Sequence, residues 1–422
     1  MSTGEAPPET AAGDAAVPAA RTAQRRCRWR RRLAVVVLAG VAAGGVESVP
    51  GIPGHAQAAL AAQLAVSDGR AAAGRAFPFP AAHPAGACAR LESGFGVGNH
   101  VFKGDELGVY ASVWPSFHAL DALYVASLLP GGGECYRDFQ QNLAAIDGAY
   151  WDGYLPGFPP GYDQGPRVLH LGSDLPRVDD SLWMGLTLMR AYARTGNPAL
   201  LGRAEDVFAL ARRNWDSRAG GVYWEEHAPG ASNQDKVVVS NAPAVILGVQ
   251  LYLRTHNPIY LRWSERIFGW LRKHLFDPAT GLYNDHVDSS TRPVTVDTTK
   301  YTYNQGVMVA AMAALSEVDP ARYPLGQAVE LAGKAMAYFQ EHHSYGQPGF
   351  DVIWAENVLG LASRYGNAAF TSQARLSVAL AIRMAPPNPG GLLDMSSELA
   401  LDELTRLTGE TRRRIQGTLE DG

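Results

Sequence analysis

The feature that most constrains this chain is its alternation of long amphipathic segments with loops rich in glycine, proline and aromatic residues. Within the segments, apolar residues recur every three or four positions, which is the period of a helix that buries one face. Strand-like alternation is scarce and short. The pattern therefore predicts an all-α fold. We expect helices near residues 58–73, 112–129, 134–149, 179–195, 199–214, 236–255, 257–275, 301–317, 325–342, 351–365, 367–384 and 394–409.

Tight turns join many of these helices in pairs. The turns read TGNP at 195–198, THNP at 255–258 and RYGN at 364–367. Each contains residues suited to ending one helix and starting the next. Longer loops, such as residues 214–227 and 281–306, connect one pair to the following pair. The helices are therefore expected to form hairpins.

Six such hairpins can bury their apolar faces against one another by closing into an (α/α)6 barrel. An open solenoid of hairpins is the alternative, but the chain lacks a near-identical repeat at a fixed period. Residues 74–100 are rich in glycine, proline and alanine and are predicted to be a loop. In a closed barrel the long loops gather at one rim, where we expect a binding site.

The first residues are typical of a secretory leader. Arginine-rich residues 25–32 precede an apolar run from Leu33 to Val46, and Ala-Gln-Ala follows at 56–58. This order matches a signal peptide, and the run is shorter than the roughly 20 residues that span a bilayer. We expect cleavage after Ala58, a secreted or cell-surface-associated protein, and a single catalytic domain over 59–422. We expect no stable membrane span. The alternative is that the apolar run is not cleaved and remains as a membrane anchor.

Charge and cysteine content narrow the choice of partners. The formal net charge is −4, and the chain beyond the arginine-rich leader is more acidic still and lacks basic clusters. This argues against nucleic acid as a partner. Cys27 lies in the leader, so Cys88 and Cys135 remain; in an oxidising exterior they would form a disulfide, and two buried free thiols are the alternative. No spacing of cysteine and histidine suggests zinc, and we expect neither a metal nor an organic cofactor.

Two adjacent carboxylates, Asp179 and Asp180, stand at the start of a predicted helix after a long loop. Helix capping is the simplest explanation, but one aspartate is enough to cap a helix. Two neighbouring carboxylates interact so that one stays ionised while the other is pushed towards the neutral acid. That division suits glycoside hydrolysis, in which one carboxylate attacks the sugar and the other protonates the leaving oxygen. No run of alternating oxygen ligands supports a dedicated calcium site.

Aromatic side chains concentrate at helix starts and in the long loops. A flat ring can stack on the C–H face of a pyranose, and tyrosine and tryptophan also offer a polar atom. Core packing is the alternative for each ring taken singly, but the clustering on one predicted rim favours a sugar site. The candidates are Trp114, Trp183, Trp224, Tyr301 and Tyr303.

An ordered set of motifs resembles glycoside hydrolase family 76, which comprises bacterial endo-α-1,6-mannanases and their fungal cell-wall relatives. The first motif is the aspartate pair with the following SLWMGLTLMRAYARTGNPALL. The resemblance as a whole covers roughly residues 110–365. The other motifs are VWPSFHALDAL at 113–123, WDSRAGGVYW at 215–224, SNAPAVILGVQLYLRTHNPIYL at 240–261, GLYNDHVD at 281–288 and YTYNQGVMVAAMAAL at 301–315.

The resemblance implies an (α/α)6 barrel and a retaining mechanism, with Asp179 as nucleophile and Asp180 as general acid/base. It also implies a set of amide and hydroxyl side chains that bind sugar hydroxyls or support the aspartates. Asparagine is a common turn and cap residue, so loop capping is the alternative for Asn284 and Asn304. The implied residues are Asn241, Tyr303, Asn304 and Gln305, with Asn284 and Asp285 lining the same groove.

Three positions depart from the family pattern. Val178 replaces a common aromatic residue, His118 replaces an asparagine, and FDVIWAEN at 350–357 lacks the usual lysine and arginine. His118 is interpreted as a groove ligand, with a satisfied core histidine as the alternative. These changes spare the aspartates but alter the periphery of the expected site.

We therefore expect a secreted retaining hydrolase that cleaves internal α-1,6-mannosidic bonds of microbial mannan or lipoglycan. A mannosyl transglycosidase is a close variant, since water access at the acceptor side decides between them. A carbohydrate-binding or wall-organising protein on the same barrel is the alternative from another class. A sugar epimerase fits poorly, because that chemistry typically uses histidines as proton shuttles. The sequence gives no indication of the oligomeric state.

Overall fold

The computed structural model describes residues 84–104, 110–152, 160–166, 176–226, 234–385 and 391–420, with side chains placed as far as residue 407. The expected leader, its cleavage after Ala58, and the helix predicted near 58–73 lie outside these residues. Across the described ranges no helix has both the length and the apolar character needed to cross a bilayer.

The described residues contain twelve helices. They are α1 (Pro84–Phe95), α2 (Val113–Ala126), α3 (Gly133–Tyr150), α4 (Val178–Thr195), α5 (Pro198–Arg213), α6 (Val238–Thr255), α7 (Pro258–His274), α8 (Thr302–Val318), α9 (Leu325–Glu341), α10 (Pro348–Tyr365), α11 (Ala368–Met384) and α12 (Leu392–Glu420).

The even-numbered helices form a closed inner ring. Each contacts the next, from α2 through α4, α6, α8 and α10 to α12, and α12 returns to contact α2. The outer helices α3, α5, α7, α9 and α11 each pack on the inner helix before them, while α1 takes the sixth outer place beside α12. The predicted (α/α)6 barrel is therefore confirmed, and the contact of α12 with α2 excludes an open solenoid.

The prediction of a loop over residues 74–100 is wrong for Pro84–Phe95, which form α1. Proline is well tolerated at the first helical position, so Pro84 suits the start of the helix. A disulfide bond joins Cys88 to Cys135 of α3, with the two Cα atoms 5.5 Å apart. Ala87 and Leu91 are buried in the core. These long-range contacts outweigh the weak helix propensity of the segment.

The tight turns have the predicted chemistry. After α4, Gly196 adopts the left-handed conformation (φ 67°), and Asn197 then caps α5 by accepting a hydrogen bond from the Ala199 N–H at 3.0 Å. The turns at 256–257 and 366–367 repeat this arrangement of a left-handed residue followed by a capping asparagine. Each inner helix is thereby reversed directly into its outer partner.

Seven short strands, all in antiparallel pairs, lie in the longer connections of the described chain. These connections run from an outer helix to the next inner helix, so they stand at the rim where the inner helices begin. All six inner helices therefore point their N-termini at this rim. The strands are β1 (Trp151–Asp152) with β2 (Gly161–Tyr162), β4 (Phe276–Asp277) with β5 (Leu282–Tyr283), and a sheet of β3 (Asp235–Val237), β6 (His286–Asp288) and β7 (Thr295–Asp297).

Neighbouring inner helices approach closely at Gly306 of α8. A Cβ atom added there would lie 2.9 Å from the Cα of Trp354 on α10, which is backbone and cannot rotate away. We expect Gly306→Ala to lower the free energy of unfolding by about 1–3 kcal/mol, as overpacking usually does. Gly326 of α9 has nothing within 4 Å of the same added atom. Gly326→Ala is the matched control and should be neutral or stabilising in urea denaturation; equal effects would contradict the close approach.

Candidate active site

The adjacent aspartates lie at the rim, in the first turn of α4. The N-cap residue is Arg177, so neither aspartate occupies the capping position that offered the simplest explanation for them. Asp179 is 9% exposed and Asp180 is 5% exposed. Two carboxylates are thus buried side by side where the N-termini of the inner helices converge, and the positive ends of the helix dipoles favour negative charge there.

A short bridge between two loops fixes the start of α4. The Val178 N–H donates to the Trp224 carbonyl at 2.8 Å, and the Glu226 N–H donates to the Pro176 carbonyl at 3.0 Å. Arg177 lies over the Trp224 ring, with its Cζ 4.6 Å from the ring centroid. Trp224 is half-buried, so this loop both holds the helix start and carries a ring beside the aspartates.

Asn241 supports that loop from below. Its Oδ1 accepts from the Val222 N–H at 2.8 Å, and its Nδ2 lies 3.0 Å from the Val222 carbonyl and 2.9 Å from the Val237 carbonyl. The side chain is fully buried. Because backbone groups occupy its amide, Asn241 acts on the aspartates through the loop that contains Trp224 and not through a free polar group.

Rings from four inner helices or the residues just before them form a belt at the rim. Phe117 stacks on Trp183 with centroids 5.3 Å apart, and Trp114 lies 6.1 Å from Trp183. On the other side, Tyr303 stacks on Phe350 at 4.0 Å, and Phe350 lies 6.4 Å from Trp114. The structure therefore brings these predicted aromatic residues together and adds Phe117 and Phe350, which the sequence analysis did not single out.

The aromatic candidates differ in exposure. Trp114, Trp224, Tyr301 and Tyr303 are half-buried and keep part of a ring face open. Trp183 is only 4% exposed, so core packing accounts for most of its surface.

His118 is almost completely enclosed. It is 1% exposed, its Nδ1 lies 3.3 Å from the Ser397 Oγ, and its ring meets Trp114 edge-on at 4.4 Å. Burial lowers the pKa of His118 to about 3, so the imidazole is neutral. These features favour the core interpretation of His118 over a direct sugar contact.

A third carboxylate, Asp285, lies near Tyr303 of the ring belt. Asn304 donates to its Oδ1 at 2.7 Å, and His286 donates to its Oδ2 at 2.7 Å. The pKa of Tyr303 is raised by burial and further by the carboxylates of Asp285 and Asp179, which places the phenol within the field of both. His286, at the start of β6, is a residue that the sequence analysis missed, since a single histidine carries no spacing signal.

Asn284 and Gln305 hold the loop that presents Asp285. Lys300 donates to the Asn284 Oδ1 and also lies 3.0 Å from the Asp277 carboxylate. Gln305 is fully buried and bonds the Tyr283 backbone twice, at 2.9 Å to its N–H and 2.8 Å to its carbonyl. Both side chains are therefore engaged in loop structure, as the capping alternative predicted for Asn284.

The aspartate pair titrates at unusually high pH. Burial raises the pKa of Asp180 to about 6, although a hydrogen bond from Gln164 and the charge of Arg177 hold it down. Burial raises the pKa of Asp179 further, and the neighbouring Asp180 adds to the effect, which a hydrogen bond with Trp224 only partly offsets. The pair therefore holds a proton at a higher pH than two ordinary carboxyls would.

Several buried polar atoms at this rim have no partner within the described protein. They include the Asp179 Oδ1, the Trp183 Nε1 and the Asn304 Oδ1. Unsatisfied buried atoms are costly, and in native proteins they commonly mark ligand or water positions. Within the described ranges no group of three or more histidine, cysteine, aspartate or glutamate side chains is arranged to hold a metal ion. The unpartnered carboxyl and amide oxygens and the indole N–H can exchange hydrogen bonds with a ligand that carries hydroxyl groups.

Comparison with known proteins gives sequence matches to part of the chain and structural matches to the barrel. Residues 172–356 match the family model described as glycosyl hydrolase family 76. A mannan endo-1,6-alpha-mannosidase of Candida glabrata is 31% identical over 147 residues, which are 32% of this chain and 33% of the relative. The match therefore spans about a third of that relative's length.

Solved structures resemble the whole barrel. A family 76 α-mannanase of Bacteroides thetaiotaomicron superposes with a TM-score of 0.66 at 17% identity, covering 79% of this chain and 97% of that one. An inactive variant of an α-1,6-mannanase of Salegentibacter, with two consecutive aspartates replaced by asparagine and α-1,6-mannotriose bound, superposes with a TM-score of 0.63 at 19% identity. That match covers 77% of this chain and 98% of that one.

At these identities the structural likeness shows the fold alone. The family model and the Candida relative show which family the matched part of the sequence resembles. The matched segment includes the aspartate pair, the loop with Trp224 and the residues around Asp285. Over residues 172–356 the chain therefore matches glycosyl hydrolase family 76.

Proposed function

We propose that this protein is a retaining glycoside hydrolase that cleaves internal α-1,6-mannosidic bonds of mannan. The observation that carries the proposal is the pair of adjacent carboxyls, Asp179 and Asp180, buried together at the rim, where burial raises the pKa of both. Such a pair provides one nucleophile and one acid, which is what glycoside hydrolysis with retention requires. Half-buried rings beside the pair offer faces on which pyranose rings stack.

In this mechanism Asp179 attacks the anomeric carbon while Asp180 protonates the departing glycosidic oxygen. The C1–O bond breaks, and a covalent mannosyl ester forms on Asp179. Asp180, now ionised, then removes a proton from water. The resulting hydroxide attacks C1, and Asp179 leaves as a carboxylate beside the N-terminus of α4, where the helix dipole stabilises its charge.

The proton must therefore be on Asp180 when the reaction begins. A bound mannoside supplies an electrophilic carbon beside Asp179, which stabilises its ionised form. It also supplies an oxygen beside Asp180 that accepts a hydrogen bond from the protonated acid. Because the two carboxyls are adjacent and coupled, these two contacts favour the ionised form of Asp179 and the protonated form of Asp180.

The relatives support the same substrate class. The Salegentibacter enzyme is an α-1,6-mannanase whose variant at two consecutive aspartates is inactive and binds α-1,6-mannotriose. The Candida relative is a mannan endo-1,6-alpha-mannosidase. We carry this chemistry to the consecutive aspartates Asp179 and Asp180. We also propose that the protein is secreted, which rests on the order of basic, apolar and small residues over 25–58.

The direct test incubates the purified protein with linear α-1,6-mannan and follows the anomers of the products by NMR. Early release of α-anomeric mannooligosaccharides of mixed length is expected for a retaining enzyme that acts internally. A β-1,4-mannan serves as the matched control and should remain intact. Binding of α-1,6-mannan without cleavage would contradict the proposal and favour a carbohydrate-binding protein, while products longer than the substrate would indicate transglycosylation.

The pH dependence of kcat/KM gives a further prediction. The reaction needs one ionised and one protonated carboxyl, and the first proton leaves the pair near the lower pKa of about 6 at Asp180. Activity should therefore rise with pH to a plateau above about pH 6 and fall again at higher pH, when the remaining proton leaves the pair. A maximum near pH 4, as for two ordinary carboxyls, would contradict a shared proton.

A further inference from the structure

Gln164 contacts the aspartate pair but has no part in the mechanism above. Its Nε2 lies 2.8 Å from the Asp180 Oδ2. We propose that Gln164 is a positioning residue that fixes the Asp180 carboxyl and directs its transferable proton to Oδ1. The catalytic consequence of this inference rests on the proposed function. The contact between Gln164 and Asp180 is independent of it.

The segment that carries Gln164 is firmly attached to α4. The Tyr162 N–H donates to the Oγ of Ser181, the residue after Asp180, at 3.1 Å. The Tyr162 hydroxyl donates to the Asp147 carboxylate at 2.5 Å, and Arg203 donates to the same oxygen at 2.9 Å. Tyr162 is fully buried. Gln164, two residues further on, therefore approaches Asp180 from a preorganised position.

The backbone before Gln164 also lies tightly against the start of α4. A Cβ atom added to Gly161 would come within 2.8 Å of the Pro176 side chain, four residues before Asp180. The Asp163 N–H donates to the Tyr150 carbonyl at 3.0 Å, which ties the segment to α3. These contacts leave little freedom for the glutamine to move away when a sugar enters.

The chemistry of the contact decides which oxygen carries the proton. The carbonyl oxygen of a protonated carboxyl accepts better than its hydroxyl oxygen, so an amide N–H that donates to Oδ2 favours the proton of Asp180 on Oδ1. A general acid delivers its proton from one defined oxygen, and the geometry of that oxygen relative to the leaving group controls the rate. With the amide held on Oδ2, the carboxyl does not rotate to the orientation in which its two oxygens exchange places.

Two groups lower the pKa of Asp180 against the effect of burial, and Gln164 is the stronger of them. On α4 itself Asp179 is the coupled neighbour, and from the preceding segment Arg177 contributes a positive charge. The Arg177 side chain is 40% exposed and lies 3.8 Å from the Glu225 carboxylate, so solvent and that partner screen it. Gln164 is neutral but donates directly, and its hydrogen bond lowers the pKa of Asp180 more than Arg177 does.

The test compares Gln164→Glu and Gln164→Leu with the wild-type protein. Gln164→Glu keeps the shape but removes the donor and adds a negative charge, and Gln164→Leu removes the donor alone. Both should move the rising limb of kcat/KM to higher pH, by about one unit for Gln164→Glu, which is about a tenfold loss of activity below pH 6 and a smaller loss above it. Gln327→Glu, the same change on the exposed face of α9, is the matched control and should leave the limb unchanged.

A readout without turnover separates this inference from the proposed function. The carboxyl carbon of Asp180 can be titrated by NMR in protein labelled with 13C-aspartate, with the signal assigned from Asp180→Asn. Its midpoint should rise in both Gln164 variants whether or not the protein cleaves mannan. A midpoint that stays in place in the folded Gln164→Glu protein overturns the positioning role, even if activity falls. A shifted midpoint in a protein that does not cleave mannan supports the contact and refutes only the enzymatic proposal.

Discussion

Replacing Asp179 with asparagine is expected to abolish turnover and to make the folded protein more stable. The change removes the proposed nucleophile, so kcat on α-1,6-mannan should fall by about 10³-fold or more. It also removes a buried carboxylate whose Oδ1 has no partner within the described protein and whose neighbour Asp180 repels it. Neutral asparagine has nearly the same shape, and we expect a gain of about 1–2 kcal/mol in the free energy of unfolding near pH 8.

The sign of this gain depends on pH. The folded state holds the pKa of Asp179 well above its ordinary value of 3.8, so the folded protein binds the proton more tightly than the unfolded chain does. Wild-type stability therefore decreases as pH rises from the unfolded pKa through the folded one. Asparagine does not titrate, so the advantage of the variant should be small near pH 4 and should grow towards pH 8. Urea denaturation at three pH values measures it.

The matched control is Asp394→Asn, the same chemical change in the first turn of another inner helix, α12. That variant should keep wild-type activity and show no gain in stability that increases with pH. If Asp179→Asn retained turnover, the nucleophile would have to be a different residue. A variant less stable than wild type at every pH would instead show that the ionised carboxylate contributes to folding.

The barrel could be predicted from the sequence because its signals are local. The period of the apolar residues defines the inner and outer helices, and residues such as Gly196 and Asn197 encode the reversals within a few positions of the chain. The helix predicted over 179–195 is observed at Val178–Thr195. Helix α1 could not be found in this way, because the contacts that stabilise it, among them Cys88 with Cys135, join segments 47 residues apart.

The site was predicted by residue type more successfully than by role. The aspartates, Asp285 and most of the aromatic candidates do meet at one rim. Whether an amide faces the ligand or a loop depends on where distant backbone lies, and Asn241 and Gln305 bind backbone groups about 20 residues away in the sequence. Nothing in the sequence marked Gln164 as a site residue. It lies in a loop rich in glycine and proline, and only the fold shows that this loop brings it to Asp180.

At one departure from the family pattern, the substituted residue pairs with a residue on the opposite side of the barrel. Glu356 of α10 stands where the pattern has an arginine, and Arg190 of α4 lies 2.7 Å from its carboxylate. Arg190 also pairs with the buried Asp121 of α2. A single guanidinium thus serves two carboxylates between three inner helices, which explains how the barrel interior accommodates the glutamate.

Replacing Arg190 with leucine should therefore destabilise the barrel strongly. The change leaves the carboxylates of Asp121 and Glu356 without their shared counter-charge. We expect a loss of about 3 kcal/mol at pH 7, the lower end of the range for a broken buried pair, because 32% of the Arg190 side chain remains exposed. Chemical denaturation monitored by circular dichroism measures the loss. Arg254→Leu, at an exposed arginine of the inner helix α6, is the control and should change stability by less than about 0.5 kcal/mol.

The loss should also depend on pH. Burial raises the pKa of Asp121 to about 8, repulsion from Glu356 adds to this, and Arg190 partly offsets both. Without Arg190 that pKa rises further, so above about pH 8 the variant continues to lose stability with rising pH while the wild-type loss from this group levels off. The deficit should be smallest near pH 5 and largest near pH 9. Adding Asp121→Asn and Glu356→Gln should recover most of it, since neutral amides need no counter-charge; a deficit independent of pH and unchanged by these additions would point to lost packing instead.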